Sequence, residues 1–478
     1  MLCQRATVVY GMCLFLIGCS GGGGADPSQQ PIVQPPPPVQ SLLQQAYVKA
    51  SNTTASDFFG GAIALDGNTM VVGVQTERTG ALNSGAVYVF VRNGTTWTQQ
   101  AFLKAPTIIA DERFGRSVAL SGDTLVVGAP APPNSATGKP VGSGSVYVYT
   151  RRGATWVQEA NIKASNAEIS DRFGLSLALE GNTLVVGASG EDSTVQWVIS
   201  GSPDETATQN GAIDSGAVYV FARANGVWTQ QAYVKAANAG AGDGFGNSVA
   251  LAGNTFVVGA EFEASAAKGI DGDSGDESAS GSGAVYVFTL GINGWVQEAY
   301  VKASNTGAGD RFGWSVALVG NTLAVGAPFE DSSATGVNST VDDNNVLGSG
   351  AVYLFTRLNG GWRQEAYLKA LLTEGNDNFG SALGLNNDDI LAVGAPGTDT
   401  RRGNVYVFQK AKGAWTEQIS RRASNADAND NFGGRVALSG NTIAVGAIGE
   451  SSKATGVNGD GTDNSESASG AAYVYVMQ

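Results

Sequence analysis

The stretch FGWSVALVGNTLAVGA, residues 312–327, contains two apolar runs separated by a short polar turn. This pattern predicts a β-hairpin, because Gly320 and Asn321 readily supply the positive φ that tight turns need. A variable loop follows, and then come the apolar run SGAVYLF (349–355) and a run that begins with Trp, WRQEAYLKA (362–370). The order of these runs predicts one unit of four antiparallel strands.

This four-stranded unit occurs seven times. Each copy begins with the dipeptide Phe-Gly, and successive copies start 53 to 72 residues apart. The phenylalanines are Phe59, Phe114, Phe173, Phe245, Phe312, Phe379 and Phe432. The third strand, AVYVF in several copies, is apolar on both faces, which indicates burial on both sides. Because a blade of this kind must stack on neighbours, the sequence predicts an all-β fold, a seven-bladed β-propeller.

The seventh copy lacks a fourth strand, since the chain ends soon after the apolar run GAAYVYV (470–476). The stretch LLQQAYVKA (42–50) precedes the first copy and matches the Trp-initiated runs that close the other copies. We expect it to pair with residues 471–476 and to complete the last blade. This closure would remove the sheet edge that an open seventh blade exposes.

The repeat also resembles a known family, through the combination of Phe-Gly with Gly-Ala-Pro at 128–130, 326–328 and 394–396. In length and number the units are similar to the FG-GAP repeats of the integrin α-subunit β-propeller, and they look closest to the bacterial secreted members of that family. The resemblance covers residues 42–478 and implies a binding or adhesion scaffold. Integrin propellers hold calcium between strands one and two with an Asp-rich motif. Here that loop is only DGN, SGD, EGN or a similar tripeptide, so those ligands do not carry over.

The segment before the propeller predicts export from the cytoplasm. Residues 1–19 contain an apolar run that is too short to span a bilayer and is typical of a signal peptide. The tetrad LIGC at its end resembles the bacterial lipobox, which implies that cleavage leaves Cys19 as a lipidated first residue. Ser20 after that cysteine implies the outer membrane of a Gram-negative cell. Residues 20–41 are rich in Gly and Pro, which predicts a flexible tether.

The composition excludes several functions. The net charge of −14 argues against a nucleic-acid partner, because phosphate binding needs a basic surface. The chain has no histidine, so a Ser-His-Asp triad and an ordinary zinc site are both absent. We therefore expect no enzyme activity. Two alternatives remain open: a carbohydrate-active enzyme that uses a pair of carboxylates, and a structural component of the cell envelope.

Acidic residues concentrate in the loop between strands two and three of the third, fourth, fifth and seventh copies. These four loops together carry more negative charge than the net −14 of the whole chain. Because strands alternate in direction, the loops share one face of the disc with the connections between blades, and in integrins that face meets ligands. We expect a binding face there. Its candidate residues are Glu191, Asp192, Trp197, Glu330, Asp331, Asp342 and Asp343.

Two of these loops suggest calcium. The stretches DGDSGDE (271–277) and NGDGTDNSE (458–466) place carboxylates and amides at near-alternate positions, which suits an oxygen-only calcium site. The candidate ligands are Asp271, Asp273, Asp276, Glu277, Asp460 and Asp463. Neither stretch has EF-hand spacing, so the alternative is that both are solvated polar loops.

Other recurring residues predict structural roles. An acidic residue lies two positions before every repeated Phe, and a carboxylate there can accept backbone N–H groups in the turn. These residues are Asp57, Glu112, Asp171, Asp243, Asp310, Asp377 and Asp430. The Trp that begins each outer strand is predicted to pack in the core. Trp197 lies outside this pattern, in the longest acidic loop, and is a candidate contact for a sugar or a partner.

Together the sequence predicts a monomeric propeller that is attached to the membrane only through a lipid anchor. It predicts a protein or glycan ligand, and calcium is the one cofactor that the sequence suggests.

Overall fold

The computed structural model describes residues 38–131, 142–203, 209–339 and 343–478. The predicted signal peptide, Cys19, Asp342 and most of the predicted tether lie outside the described residues. The described chain folds into seven antiparallel sheets, each built from four blade strands. The predicted all-β, seven-bladed propeller is confirmed.

The strands follow the predicted repeat. Strand β1 (Leu42–Val48) comes first. Blade 1 contains β2 (Ala62–Asp66), β3 (Thr69–Val74), β4 (Ala86–Asn93) and β5 (Thr96–Leu103), and blade 2 contains β6 (Ser117–Ser121), β7 (Thr124–Ala129), β8 (Ser145–Arg152) and β9 (Thr155–Ile162). Blade 3 contains β10 (Ser176–Glu180), β11 (Thr183–Ala188), the short β12 (Val198–Ser200), β13 (Ala217–Ala224) and β14 (Val227–Val234).

Blade 4 contains β15 (Ser248–Ala252), β16 (Thr255–Ala260), β17 (Ala284–Gly291) and β18 (Gly294–Val301). Blade 5 contains β19 (Ser315–Val319), β20 (Thr322–Ala327), β21 (Ala351–Leu358) and β22 (Gly361–Leu368). Blade 6 contains β23 (Ala382–Leu385), β24 (Ile390–Ala395), the single helical turn α1 (Thr398–Arg401), β25 (Asn404–Ala411) and β26 (Ala414–Arg421). Blade 7 contains β27 (Phe432–Ser439), β28 (Thr442–Ala447) and β29 (Ala471–Met477). Within the described residues, no helix is long and apolar enough to cross a membrane.

The two ends of the propeller chain close the ring in blade 7. Strand β1 pairs antiparallel with β29, from Leu42 opposite Met477 to Val48 opposite Ala472. The amide of Ser41 also donates to the carbonyl oxygen of Gln478, at 3.1 Å. Closure by the N-terminal strand is therefore as predicted, and β1 covers β29, which would otherwise be the outer edge of the last blade.

The apolar core lies between neighbouring blades. One cluster combines Val257 and Val301 of blade 4 with Leu323 and Tyr353 of blade 5. The repeated Phe312 belongs to the same cluster, and its ring meets that of Tyr353 edge-on at a centroid distance of 5.3 Å. Each sheet therefore buries both of its faces, which explains why the third strand is apolar throughout.

The Phe-Gly dipeptide links each blade to the one before it. Phe114 of blade 2 forms a parallel bridge with Gly85, which ends the loop between strands two and three of blade 1. Gly115 has a φ of +86°, and a Cβ at this position would lie 2.4 Å from the carbonyl oxygen of Ala86. A side chain would therefore separate the blades, which explains the glycine at this position.

The predicted turn role is confirmed for the six recurring Asp residues, whereas Glu112 accepts the hydroxyl of Tyr147, and the predicted packing of the outer-strand Trp residues is confirmed for five of the six. Asp310 accepts the amide of Gly307, three residues before it, at 2.8 Å. The same bond joins Asp57 to Thr54, Asp171 to Glu168, Asp243 to Gly240, Asp377 to Glu374 and Asp430 to Asp427. Five of the six outer-strand tryptophans are buried, and Trp228 is half-buried. The Asp residues therefore stabilise turns, and the Trp residues pack in the core.

Candidate binding face

The loops between strands two and three lie on the same face as the connections between blades. The bridges of Phe114 with Gly85 and of Phe379 with Gly350 place the end of the second-to-third loop beside the start of the next blade. Each loop begins directly after the second strand, which is fully buried in blade 4, so the position of its first residues is fixed by the core.

A buried network holds the base of the loop in blade 4. Lys302, at the end of the outer strand, donates from Nζ to Glu263 Oε2 at 2.7 Å and to Ser282 Oγ at 2.8 Å. Glu263 stands near the start of the loop and Ser282 at its end, so one ammonium group joins both limbs. The hydroxyl of Tyr300 donates to Glu263 Oε1 at 2.6 Å. Asn238, from the connection with the previous blade, donates to the same oxygen at 3.3 Å.

The same ion pair occurs in five blades. The pairs are Lys104 with Glu77, Lys235 with Glu191, Lys302 with Glu263, Lys369 with Glu330, and Lys49 with Glu450. The distances between nitrogen and oxygen are 2.5 to 2.8 Å. Four of the five lysine side chains are completely buried, and that of Lys104 is 14% exposed. Burial is the main cause that lowers the pKa of Lys302, and the charge of Glu263 opposes this shift.

The glutamate and the asparagine occur together. An Asn donates to the Glu in all five of these blades, and the pairs are Asn52 with Glu77, Asn166 with Glu191, Asn238 with Glu263, Asn305 with Glu330, and Asn425 with Glu450. In blades 2 and 6 the sequence has Pro132 and Thr398 at the glutamate position and Thr107 and Leu372 at the asparagine position. We expect each blade to have either both residues or neither, because a buried glutamate carboxylate needs the hydrogen bond that the asparagine donates.

Blade 2 replaces this network with a different bond. In blade 4 the Asn238 side chain accepts the hydroxyl of Tyr286, on the third strand, at 2.7 Å. In blade 2 the corresponding Tyr147 donates instead to Glu112, at 2.7 Å. Glu112 stands where the other six blades have Asp, and its longer side chain reaches the tyrosine. Burial raises the pKa of Glu112, which the bond from Tyr147 opposes.

The long acidic loops fold outward over the outer strand. In blade 4 the amide of Asp271 donates to the carbonyl oxygen of Tyr300 at 2.8 Å, and the amide of Tyr300 donates back to Asp271 Oδ1 at 2.9 Å. Asn338 in blade 5 and Asn458 in blade 7 make the same two bonds. In blade 3 the strand β12 pairs with β14. These loops therefore cover the exposed edge of the outer strand. An uncharged Asn makes the same two bonds as Asp271, so the bonds do not require a charged side chain.

Four of the other five predicted calcium ligands bind atoms of their own loops. Asp273 accepts the amide of Gly275, and Asp276 accepts the amides of Ala266 and Ser278. Glu277 is exposed.

In blade 7, Asp460 accepts the amide of Thr462, and Asp463 lies 2.6 Å from Lys453 Nζ. Across the described residues, no three Asp, Glu, His or Cys side chains converge to hold a metal ion. The carboxylates do not form a cage suited to calcium in this structure, although the binding of calcium in solution stays a prediction.

The structure separates the predicted binding-face residues into two groups. Glu191 and Glu330 are each 2% exposed and belong to the buried network, so they are not available to a partner. The prediction that these two glutamates lie on the surface is therefore wrong. Each is buried because it pairs with the lysine that follows the outer strand.

The second group is partly exposed. Asp192 accepts the amide of Asp214 at 2.7 Å, and Asp331 accepts the amide of Gly348 at 2.6 Å. Asp343 binds the amide and hydroxyl of Ser333, at 2.7 and 2.8 Å. These three carboxylates fix the two limbs of each loop to each other, and Asp342 lies outside the described residues.

Trp197 lies on the surface, as predicted. Its side chain is 57% exposed and borders a groove of about 310 Å³ between blades 3 and 4. The groove is also lined by Phe288, Val296 and Gln297 of blade 4. An exposed indole beside aliphatic and amide groups offers a stacking surface with hydrogen-bonding groups at its side.

The sequence interpretation missed the lysines of the buried network. A signal was present, because the Glu after the second strand and the Asn after the outer strand occur in the same five copies. That correlation within one chain indicates contact between the two positions. The charges suggested solvent exposure instead, since Lys and Glu are rarely buried unless they are paired.

One family model matches most of the chain. The model described as the FG-GAP repeat matches residues 42–90, 97–149, 156–221, 228–288, 295–355, 362–408 and 415–475. No curated protein matches the chain significantly. Each matched segment begins in an outer strand and ends in the third strand of the next blade, so the sequence repeat is offset from the blade by one strand. This offset explains why the propeller begins with the strand that completes its last blade.

Proposed function

The chain belongs to the FG-GAP repeat family, and from this premise we propose that it is a binding or adhesion scaffold of the bacterial cell envelope. An FG-GAP propeller suits such a scaffold in general. We propose further that a lipid on Cys19 anchors it in the outer membrane and that the face with the long loops meets the ligand.

The observation that carries this proposal is the exposed Trp197 in its groove. Large aromatic side chains are normally buried, and five of the six outer-strand tryptophans follow that rule, while Trp228 is half-buried. Trp197 instead exposes more than half of its surface, beside the outer strands of blades 3 and 4. An aromatic side chain on a partly apolar groove is typical of a binding hot spot for a protein or a glycan.

The anchored loops support the same proposal. The loop that bears Trp197 begins near Glu191, which binds Lys235 at 2.8 Å and Tyr233 at 2.7 Å. The paired strands β12 and β14 then hold Trp197 directly beside a sheet edge. A side chain held in this way loses little conformational freedom when it binds, which favours affinity.

The experiment that tests the ligand site compares two exposed apolar residues in different blades. Trp197→Ser changes the groove, and Leu358→Ser changes a similarly exposed residue at the end of the third strand of blade 5. The intact protein and both variants are tested for binding to purified envelope polysaccharides and to an array of glycans. We expect the Trp197 variant to lose about tenfold or more in affinity, because removal of a hot-spot tryptophan commonly costs 2 kcal/mol or more. If both variants have equal affinity for every glycan that the parent protein binds, Trp197 is not part of the ligand site.

The lipid anchor has its own test. Cys19→Ser is expected to move the protein from the membrane fraction to the soluble fraction, or to stop its maturation. An unchanged membrane fraction with an unmodified N-terminus would contradict the anchor and leave the ligand site unaffected.

A further inference from the structure

The central channel of this acidic protein has a basic mouth. A cavity of about 410 Å³ lies where the innermost strands of all seven blades begin. Arg116 of blade 2 and Arg435 of blade 7 line it, and Arg113 lies close enough to Arg116 for their charges to interact. Among the described lining residues, Glu261 is the one acidic group. The lining of the cavity is therefore basic, whereas the chain as a whole is acidic, with a net charge of −14.

These arginines have no acidic partner. None of the three forms an ion pair within the described part of the chain, where fifteen other pairs occur. Arg116 makes no side-chain hydrogen bond there, and the Nε atom of Arg113 is buried without a partner. Arg435 donates from Nε to Gly61 at 2.9 Å and from Nη1 to Gly434 at 2.7 Å, which leaves Nη2 free. The charges of Arg435 and Arg113 act on Arg116, and unpaired guanidinium groups repel each other unless an anion lies between them.

The neighbouring residues leave room for a ligand. Blade 1 stands between the blades of Arg116 and Arg435, and its residues that line the cavity are Ala62 and Ile63, neither of which is charged. Uncharged residues between two arginines create a gap with positive charge on both sides. Burial, followed by repulsion from Arg435 and Arg113, lowers the pKa of Arg116 to about 10, so it still carries its charge at neutral pH.

The far side of the cavity has a different chemistry. Trp314 lines it, with its ring 5.6 Å from that of Phe329. Glu261 lies 3.8 Å from Arg311 Nη1, and burial raises the pKa of Glu261 to about 7. Deeper in the channel, one aliphatic side chain from each blade lines the cavity, and these are Ile63, Val118, Leu177, Val249, Val316, Leu383 and Val436. The volume and the apolar lining suit a small molecule rather than a polypeptide segment.

We propose that the channel mouth binds a small ligand through an oxyanion, a carboxylate or a phosphate, held between Arg116 and Arg435. Arginine recognises both groups through paired N–H donors. Two sources of this chemistry are a free inorganic anion and a carboxylate on a sugar ring, for which Trp314 offers a stacking surface. The site differs from the groove at Trp197 and does not depend on the function proposed for that groove.

The test is calorimetric titration of the intact protein with sodium phosphate and with sodium glucuronate, against sodium chloride at equal ionic strength. We expect saturable binding of at least one of the two anions. Phosphate alone indicates a free anion, whereas glucuronate alone indicates an acidic sugar. We expect Arg116→Gln to weaken binding about tenfold or more, since a charge-assisted bond is lost. Arg116→Lys should retain part of the affinity.

Matched variants separate this site from general charge effects. Arg363→Gln makes the same charge change on the exposed part of an outer strand and should bind like the parent protein. If Arg116→Gln fails to fold, Leu175→Glu, which adds a carboxylate beside the cavity, should abolish binding in a folded protein. No saturable binding above that of chloride, or equal binding by Arg116→Gln and the parent, would overturn the proposal.

Discussion

Blades 4 and 6 have the same four strands, but they differ in how the loop between strands two and three is held. Blade 4 anchors a long loop with Glu263 and Lys302. Blade 6 has Thr398 and Arg422 at those positions, and its second and third strands are joined by the short turn α1. In place of the network, blade 6 has a cavity of about 450 Å³ that Thr398, Arg422 and Leu372 line. The comparison indicates that a blade forms without the buried network, which in blade 4 joins the two limbs of the long loop.

Removing the lysine should give the largest difference between blades. Lys302→Met in blade 4 leaves Glu263 buried without its counter-charge, and the loss of one partner of a buried pair typically costs about 3 to 5 kcal/mol. Lys163→Met in blade 2 is the matched control, because Lys163 is exposed and its Nζ donates to the carbonyl oxygen of Gly144 at 2.9 Å. We expect the control to cost about 1 kcal/mol or less. Denaturant unfolding of both variants measures the difference.

A second variant tests the cause of that loss. Lys302→Met combined with Glu263→Leu removes both charges, and it should recover much of the lost stability, because replacing both partners of a buried pair is often nearly neutral. If Lys302→Met costs no more than Lys163→Met, the network does not stabilise the loop.

The fold was predictable because its signal is repeated and periodic. Seven copies of Phe-Gly and of paired apolar runs specify blades, and the position of residues 42–50 specified closure. The site was less predictable, because Glu191 and Asp192 are adjacent acidic residues with opposite fates. Glu191 is buried against Lys235, and Asp192 is half-exposed and caps a turn. The local sequence cannot show which of the two is buried, because the burial of Glu191 depends on Lys235, more than forty residues away.

The asparagine of the network should have a smaller effect. Asn238→Ala removes a donor to Glu263 and leaves the buried hydroxyl of Tyr286 without its acceptor. We expect a loss of about 1 to 3 kcal/mol, the usual cost of an unsatisfied buried group. Thr107→Ala makes the equivalent change in blade 2, where Thr107 is exposed, and should be nearly neutral. Adding Tyr286→Phe to Asn238→Ala should recover part of the loss, and a purely additive double variant would contradict the proposed coupling.

The Asp before the repeated Phe should make stability depend on pH. Burial raises the pKa of Asp310 to about 8, and the charge of Glu330 adds to the shift. The folded state then retains a proton that the unfolded state releases near pH 4, so this group's contribution to stability falls as the pH rises from about 4 to about 8. Asn keeps the acceptor for the amide of Gly307. Asp310→Asn should therefore be more stable than the parent at pH 8, by about 1 to 3 kcal/mol, and should lose this advantage near pH 4.

Blade 6 provides the matched control for this pH effect. Burial also raises the pKa of Asp377, but Thr398 stands where blade 5 has Glu330, so less negative charge surrounds it. We expect a smaller gain from Asp377→Asn than from Asp310→Asn, measured as melting temperature across the same pH range. Equal gains would show that the network glutamate does not influence the neighbouring aspartate.

Calcium should produce the smallest effect. The predicted ligands Asp271, Asp273 and Asp276 bind backbone groups of their own blade, so a calcium ion would act mainly on the repulsion within a chain of net charge −14. We expect millimolar calcium to raise the melting temperature by about 1 to 2 °C above a sodium chloride control of equal ionic strength. Replacing the three residues by Asn keeps the oxygen acceptors, as Asn338 does in blade 5, and should reduce that shift. A response that is unchanged in the triple variant would place calcium elsewhere, and a shift of many degrees would mean that these loops rearrange into a site with converging ligands.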